Sequence, residues 1–221
     1  MNQSASTPVM PQSSFPDLSL SAVKVTNGKF LPHWEARGAI YHVSFHLADS
    51  VPAKQLAEWR EARRRIRELS TQEKRPFTPS EIEELKCLYN DKVERYLASG
   101  YGECLLSRAG VAEEVIKVFE YADGIRYALH TVAIMPNHVH VIAGGFGEKD
   151  SAMRLFEVWK RTSAHRINRQ LGRSGPVWHQ DSYSRIIRDA VEYRRQLNYV
   201  WSNPESAGLT AGFLRRRYVE W

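Results

Sequence analysis

The sequence predicts an α+β fold in which an antiparallel sheet carries helices on one face, together with a charged helical insertion. Three stretches, at 39–47, 126–134 and 138–143, are rich in β-branched and aromatic residues and alternate as half-buried strands do. Helical patterns lie between these strands, so the two element types are interleaved along the chain. The last two strands are joined by a short turn at Pro136-Asn137, which predicts an antiparallel hairpin.

Local signals place the other elements. Thr78-Pro79-Ser80-Glu81 reads as a capping box with proline at the first helical position, so a helix begins there. Pro204 disfavours helical geometry at the residue before it, which predicts that the last helix ends at Asn203. Two charged helices at 51–69 and 78–98 form the predicted insertion, about 52–100. The remaining predicted elements are helices at 111–121, 151–171 and 189–203 and a short strand at 183–187.

Composition indicates a single globular domain. The chain has 221 residues, 43% of them hydrophobic, and no run approaches the 18 apolar residues of a membrane span. We expect a disordered tail at 1–30, a folded domain at 31–209 and a short basic C-terminal tail at 210–221. The N-terminus lacks the features of a signal peptide, so Cys87 and Cys104 are expected to be reduced thiols in a cytoplasmic protein. Two cysteines also exclude a zinc cluster.

Positive charge is concentrated in the last third of the chain. Residues 1–150 hold 18 Lys or Arg and 19 Asp or Glu, whereas residues 151–221 hold 13 and 6, a net of +7. This asymmetry is consistent with a surface that binds a phosphate backbone, and equally with a solvated basic surface. The helix at 151–171 carries most of this net positive charge. Its candidate DNA contacts are Lys160, Arg161, Arg166 and Arg169.

A second basic stretch lies in the insertion. Arg63, Arg64, Arg65 and Arg67 follow one another on the first charged helix. They could form a further DNA surface, but Glu58, Glu61 and Glu68 are interspersed, and a solvated helix face explains the pattern at least as well.

The residues with the clearest chemistry are His138 and His140. Side chains alternate along a strand, so the two imidazoles point to one face while Val139 and Val141 point into a core. Neutral imidazole is a common metal ligand, and this spacing converges two nitrogens on one point. Ordinary strand histidines are the alternative, because His-x-His is frequent by chance.

The last predicted helix offers partners for such a metal. Tyr199 and Asn203 are four residues apart and share one helical face, with Gln196 on the same side. A tyrosine hydroxyl can attack phosphorus and form a covalent phosphotyrosine, and an amide oxygen can complete a metal site. Spacing alone does not choose Tyr199 over Tyr183, Tyr193 or Tyr218, and Asn203 also suits a helix end.

Several segments, in order, resemble the single-tyrosine HUH transposases, and most closely the REP-associated tyrosine transposases. The resemblance covers about residues 31–209. Its motifs are Leu31-Pro32-His33-Trp34 with the strand that follows, Val132 to Ile142 around the histidine pair, Trp159-Lys160-Arg161-Thr162-Ser163, Gly175 to Gln180 with Arg185 to Asp189, and Tyr199-Val200-Trp201-Ser202-Asn203-Pro204 followed by Ala207-Gly208-Leu209.

The resemblance implies a ferredoxin-like core, with the helical insertion present in only part of the family. It implies that His138 and His140 bind a divalent metal, Mg²⁺ or Mn²⁺, and that Tyr199 is the nucleophile. By position, Asn203 would be the third ligand. The implied activity is cleavage and joining of single-stranded DNA at hairpins of repetitive extragenic palindromes, through a 5′-phosphotyrosine. The implied protein is a monomer or homodimer that contacts DNA and no membrane.

Two other classes of function stay open at this point. One is a catalytically silent protein that binds DNA or RNA hairpins and keeps the fold. The other is a different histidine-based phosphoesterase. A histidine-triad hydrolase would need a third alternating histidine where Ile142 stands, and a two-motif phosphoesterase would need a second strand of which His42-Val43-Ser44 is only a partial match.

Overall fold

A computed structural model of the chain describes residues 15, 23–27, 32–75, 77–78, 80–81, 84, 93–146 and 151–220. Strands and helices are numbered here in chain order. The strands are β1 (Val23–Asn27), β2 (Pro32–Ala36), β3 (Ile40–His46), β4 (Ala128–Ile134), β5 (His138–Gly144), β6 (Tyr183–Ile187) and β7 (Leu214–Arg217). The helices with complete bounds are α1 (Ala53–Gln72), α2 (Val111–Glu120), α3 (Ala152–Gln170) and α4 (Ala190–Ser206).

The main sheet has five antiparallel strands in the order β6-β3-β5-β4-β7. Four of them, β3, β4, β5 and β6, are connected through the helices α2, which precedes β4, and α3, which lies between β5 and β6. Numbered among themselves along the chain, they stand in the order 4-1-3-2, which is the arrangement of a ferredoxin-like β-α-β-β-α-β core. The predicted α+β class with an antiparallel sheet is therefore confirmed.

Helices cover both faces of this sheet, not one. Val139 and Val141 of β5 join the larger apolar core with α2 and α3. Ile142 points to the opposite face and packs with Leu197 and Val200 of α4. The prediction of helices on one face is thus right for the two crossover helices and wrong for α4. The apolar stripe of α4 packs on the sheet face that carries the histidine pair, and this packing positions the site.

Two segments predicted as tails contain strands. Within 1–30, residues 23–27 form β1, which pairs with β2 in a separate two-stranded sheet. Within 210–221, residues 214–217 form β7, which pairs with β4 at the edge of the main sheet. The other residues of the predicted N-terminal tail, except residue 15, lie outside the described residues.

The last helix runs three residues beyond its predicted end. Pro204 lies inside α4, which continues to Ser206. The proline lacks the N–H that would bond to the carbonyl one turn earlier, but the carbonyls of Asn203 and Pro204 accept bonds from Ala207 and Leu209. Asn203 therefore stays on the helix, one turn from Tyr199.

The insertion contains its own small core. Trp59 and Ile66 of α1 pack with Val93 and Leu97 of the helical segment 93–98. The predicted capping box is present, because Thr78 Oγ1 accepts from the Glu81 N–H at 3.2 Å and Glu81 Oε2 accepts from the Thr78 N–H at 2.7 Å. Residues 85–92 of the predicted second helix are outside the described part of the chain. None of the helices in the described residues has the length and apolar character needed to cross a bilayer.

A buried histidine on β4 should make stability depend on pH. The Tyr193 hydroxyl lies 2.7 Å from His130 Nδ1, and burial lowers the pKa of His130 from 6.5 to about 4. Between these values the unfolded chain binds a proton that the folded chain does not. Stability is therefore lost as the pH falls from 6.5 to about 4, by about 3 kcal/mol for this residue alone.

Denaturant unfolding at several pH values measures this effect. The His130→Phe variant should lose less stability than the unchanged protein between pH 6.5 and 4. The His165→Phe variant, which removes an exposed histidine of α3, is the matched control and should lose as much as the unchanged protein. Equal acid sensitivity in the His130 variant would contradict the prediction.

Candidate active site

The histidine pair lies in the middle of the main sheet, on the face covered by α4. His138 and His140 are on one side of β5, with their ring centroids 4.9 Å apart. β5 is paired on both sides, by β3 and by β4, so the two imidazoles are held on a rigid surface. The turn before β5 is closed by a hydrogen bond from the Met135 N–H to the His138 carbonyl at 2.8 Å.

Helix α4 brings Tyr199 and Asn203 to this pair. The Tyr199 ring lies 5.6 Å from the His140 ring, centroid to centroid. Asn203 lies close enough to act on the pKa of both Tyr199 and His138. All four predicted residues therefore lie together on this face of the sheet.

The competing tyrosines have other surroundings. Tyr193 is buried against His130, and the Tyr218 hydroxyl donates to Glu120 at 2.7 Å. Tyr183 on β6 faces His42 at 6.4 Å between ring centroids. Tyr199, by contrast, packs against both His140 and His42.

A cavity of about 190 Å³ opens between β5, α4 and the insertion. Its volume is below the ~300–1,000 Å³ typical of pockets for small organic ligands, so it suits a phosphate group better. Glu94, from the helical segment 93–98, forms part of its wall and accepts a hydrogen bond from the Tyr199 hydroxyl at 3.1 Å. The complete lining is Glu94, Leu97, Ala98, His138, His140, Tyr199, Asn203, Ser206 and Ala207.

The His140 imidazole is held through its Nδ1 by a histidine on the neighbouring strand. His140 Nδ1 lies 3.1 Å from His42 Nε2 on the neighbouring strand β3. Gln196 of α4 acts on His42 as a side-chain partner that raises its pKa. Either imidazole of the His42–His140 pair can be the donor, and in both cases the contact fixes the orientation of the His140 ring. The tautomer in which His140 Nδ1 donates leaves the lone pair of His140 on Nε2.

The His138 imidazole is held in a similar way. Its Nδ1 lies 2.8 Å from Oδ1 of Asn137, which is 0% exposed and whose Nδ2 donates to the Tyr101 carbonyl at 3.1 Å. A proton on Nδ1 leaves the lone pair of His138 on Nε2. Metal-binding histidines commonly have their second ring nitrogen fixed by such a partner.

Burial controls the ionisation of the site. It lowers the pKa of His138 to about 3 and that of His140 well below 6.5, so both imidazoles are neutral at pH 7. Burial and the nearby Glu94 carboxylate raise the pKa of Tyr199 above its usual 10. The phenol is therefore protonated, and any attack by its oxygen must release a proton.

Sequence reasoning missed three functional neighbours of the site. His42 and Asn137 orient the histidines, and Glu94 contacts the tyrosine. For His42, the alternation His42-Val43-Ser44 indicates a strand with the imidazole on one face, but only the register between β3 and β5 shows that this is the face of His140. No local pattern signals Glu94, which is 105 positions from Tyr199 in the chain.

The predicted DNA contacts on α3 are not beside this cavity. Lys160 is only 6% exposed, and its Nζ donates to the Gln180 carbonyl at 2.8 Å, so its assignment as a surface DNA contact is wrong. The aliphatic part of the Lys160 side chain runs into the protein, because the ammonium group hydrogen-bonds a carbonyl there. Arg161 and Arg169 are exposed, and Arg166 forms an ion pair with Glu114 at 3.7 Å. α3 packs on the opposite face of the sheet from the histidine pair.

The site residues fit a divalent metal. Two neutral imidazoles and one amide side chain line the same cavity, and neutral imidazole is the form that binds metal. The described residues contain no group of three or more His, Cys, Asp or Glu side chains placed to share an ion. Asn203 is the amide side chain in the lining of the cavity, so it is the residue that would act as a third protein ligand.

The fold and the site together define a ferredoxin-like α+β protein with a buried histidine pair facing a tyrosine across one cavity. No protein-family model matches the chain, and no curated protein matches it. Among solved structures, it is similar to a REP-associated tyrosine transposase bound to a REP hairpin. The identity is 15%, the match covers 80% of this chain and 72% of that chain, and the TM-score is 0.43.

Proposed function

We infer that this protein cleaves and rejoins single-stranded DNA beside a hairpin, with Tyr199 as the nucleophile and a divalent metal at His138, His140 and Asn203. The observation that carries the proposal is the convergence of these four side chains on one phosphate-sized cavity. The DNA hairpin as substrate comes from the sequence motifs around the histidines and Tyr199. Those motifs resemble the REP-associated tyrosine transposases.

The proposed step is a transfer of the phosphoryl group to Tyr199. Tyr199 Oη attacks the scissile phosphorus, so that the bond between Oη and phosphorus forms while the bond between phosphorus and the 3′ oxygen breaks. The phenolic proton leaves towards Glu94, which already accepts a hydrogen bond from it at 3.1 Å. The 3′ oxygen takes up a proton and leaves as a hydroxyl. The product is a 5′-phosphotyrosine, and the 3′ hydroxyl of another strand can reverse the step.

The protein residues hold the reacting groups in place. His138 and His140 are fixed by Asn137 and His42, and Asn203 lines the cavity beside Tyr199. A bound Mg²⁺ or Mn²⁺ would neutralise charge on the phosphate and orient it. Two imidazole ligands suit manganese better than magnesium, so manganese is expected to support the stronger activity in vitro.

A nicking assay separates this enzyme from a catalytically silent hairpin-binding protein. Single-stranded oligonucleotides that carry an imperfect hairpin are incubated with the protein and Mn²⁺, or with a chelator. We expect cleavage at one position beside the hairpin with the metal and none with the chelator. Tight hairpin binding without cleavage in either condition would favour the silent binder and overturn the enzymatic proposal.

Arg161 and Arg169 are the exposed candidates for contacts with the hairpin. If each neutralises one phosphate, the Arg161→Ala/Arg169→Ala variant should reduce the slope of log affinity against log salt by about 1.4 to 1.8. The Arg108→Ala variant, which removes an exposed arginine that pairs with Glu103, is the control and should leave the slope unchanged. Fluorescence anisotropy at several salt concentrations measures both. An unchanged slope in the double variant would mean that α3 does not touch the DNA.

A further inference from the structure

A second polar cluster lies beside the candidate active site, where the histidine face of the sheet meets α1. A small cavity of about 10 Å³ is lined there by His46, Trp59, Arg63, His179 and Asp181, together with Leu56, Arg60 and Val93. His46 is the cross-strand neighbour of His138. None of these residues lines the cavity that contains Tyr199.

Two buried N–H donors of this cluster have no hydrogen-bond partner within the part of the chain that the structure describes. They are Trp59 Nε1, on a residue 3% exposed, and His179 Nε2, on a residue 7% exposed. The Asp181 N–H donates to His179 Nδ1 at 3.3 Å, and burial lowers the pKa of His179 to about 3. The neutral ring therefore carries its proton on Nε2. Leaving a buried donor without an acceptor costs free energy, so the pair points to a missing acceptor.

The charges around the cluster indicate which kind of ligand could supply the missing acceptor. Arg60, Arg63 and Lys160 all act on the pKa of both His179 and Asp181, which shows that cations dominate the field in the cluster. Asp181, which is the only carboxylate among the described residues of the lining, is already paired with Arg63 at 3.5 Å. A cation would be repelled here, and no described group of His, Cys, Asp and Glu is placed to hold a metal. An oxygen that carries negative charge is attracted.

A larger groove on α1 leads to this cavity. It has a volume of about 470 Å³ and is lined by Arg60, Arg63, Arg64 and Arg67 with Glu68, Thr71 and Gln72. Arg60 and Arg63 belong to both the groove and the cavity. Arg64 is also paired with Glu61 and Glu68, so the groove is positively charged but locally compensated. The shared Arg60 and Arg63 place the groove next to the cavity that is lined by Trp59 and His179.

We propose that Trp59 and His179 form an oxyanion pocket that takes one oxygen of a phosphate group, whose remaining oxygens lie in the arginine groove of α1. The size of the cavity supports this assignment, because about 10 Å³ is close to the space that one water-sized oxygen needs. The phosphate could belong to a nucleic-acid strand or to a free anion. Only the first source rests on the proposed function.

The test removes the two donors and keeps the rings. The Trp59→Phe/His179→Phe variant retains the aromatic contact with Tyr96 and the stack on His46. Neither N–H has a partner in the described protein, so the loss of the two donors breaks no bond there. His179→Phe also removes the Nδ1 that accepts from the Asp181 N–H at 3.3 Å, and Trp59→Phe carries the test without that loss. Trp178→Phe is the matched control, because it removes an indole N–H that donates to Ser163 at 2.9 Å outside the cavity. If the double variant does not fold, the two single variants carry the same test.

The first arm measures the melting temperature of the full chain with inorganic phosphate or chloride at constant ionic strength. We expect phosphate to raise it for the unchanged protein and for Trp178→Phe, and we expect the rise to disappear in the double variant. An equal rise in all three proteins would overturn the proposal, because phosphate would then act elsewhere. No rise in any of them would also overturn it, because the pocket would then hold only water.

The second arm measures the affinity for a labelled single-stranded oligonucleotide, in a Tyr199→Phe background that excludes cleavage. A loss of about ten-fold or more in the double variant would assign the pocket to the nucleic-acid strand. Unchanged affinity together with a positive first arm would assign it to a free phosphate anion. The first arm does not depend on strand cleavage, so failure of the pocket and failure of the proposed enzyme are distinguishable.

Discussion

The Tyr199→Phe variant is expected to lose strand cleavage by at least about 10³-fold while it keeps its affinity for the hairpin. The change removes only the hydroxyl, which is the atom that would form the bond to phosphorus. The ring that packs beside His140 and His42 remains, so the fold and the binding surface should persist. A gel-based cleavage assay and an anisotropy titration with the same oligonucleotide measure the two effects separately.

Tyr193→Phe is the matched control for this prediction. Tyr193 lies on the same helix, but its hydroxyl contacts His130 rather than the cavity. Its removal should cost some stability and leave cleavage intact. If the two variants cleaved equally well, Tyr199 would not be the nucleophile, and the histidine pair would need another partner.

Loss of the histidine pair is expected to have the second-largest effect. The His138→Ala/His140→Ala variant should lose cleavage by about 10²-fold or more, because charge on the scissile phosphate would no longer be neutralised by a bound metal. Calorimetric titration with Mn²⁺, which does not depend on activity, should show one site per chain in the unchanged protein and none in the variant.

Two controls test whether the effect is specific to the histidine pair and to the metal. His165→Ala removes an exposed histidine on α3 and should change neither manganese binding nor cleavage. Addition of a chelator should stop cleavage by the unchanged protein, and Mn²⁺ should restore it. A double variant that cleaves in chelator as fast as the unchanged protein would refute the metal role of the pair.

Alternation and helical spacing predicted which residues share a face, and the resemblance to a known family selected Tyr199 among the tyrosines. His138 and His140 share a face because side chains alternate along a strand, and Tyr199 and Asn203 share a face because they are one helical turn apart. Both statements are local and need no tertiary information. Which face of the sheet α4 covers is a packing outcome, and neither periodicity determines it.

The residues that support the site depend on contacts distant in sequence. His42 reaches His140 only through the register between β3 and β5, in which Ser44 pairs with His140. Glu94 reaches Tyr199 only because the insertion folds back over the end of α4. Lys160 shows an error of the opposite kind. It was assigned to the surface because it is a basic residue on an amphipathic helix, but its ammonium group reaches a carbonyl inside the protein.

The covalent intermediate offers the most direct test of the account. A single-stranded oligonucleotide labelled at its 3′ end is incubated with the protein and Mn²⁺, and the products are denatured, digested and analysed by mass spectrometry. Because the account predicts a 5′-phosphotyrosine, the labelled 3′ fragment should stay on the protein, on the peptide that contains Tyr199, and no adduct should form with Tyr199→Phe. Cleavage that leaves the labelled fragment free of protein, or an adduct on another residue, would contradict the account.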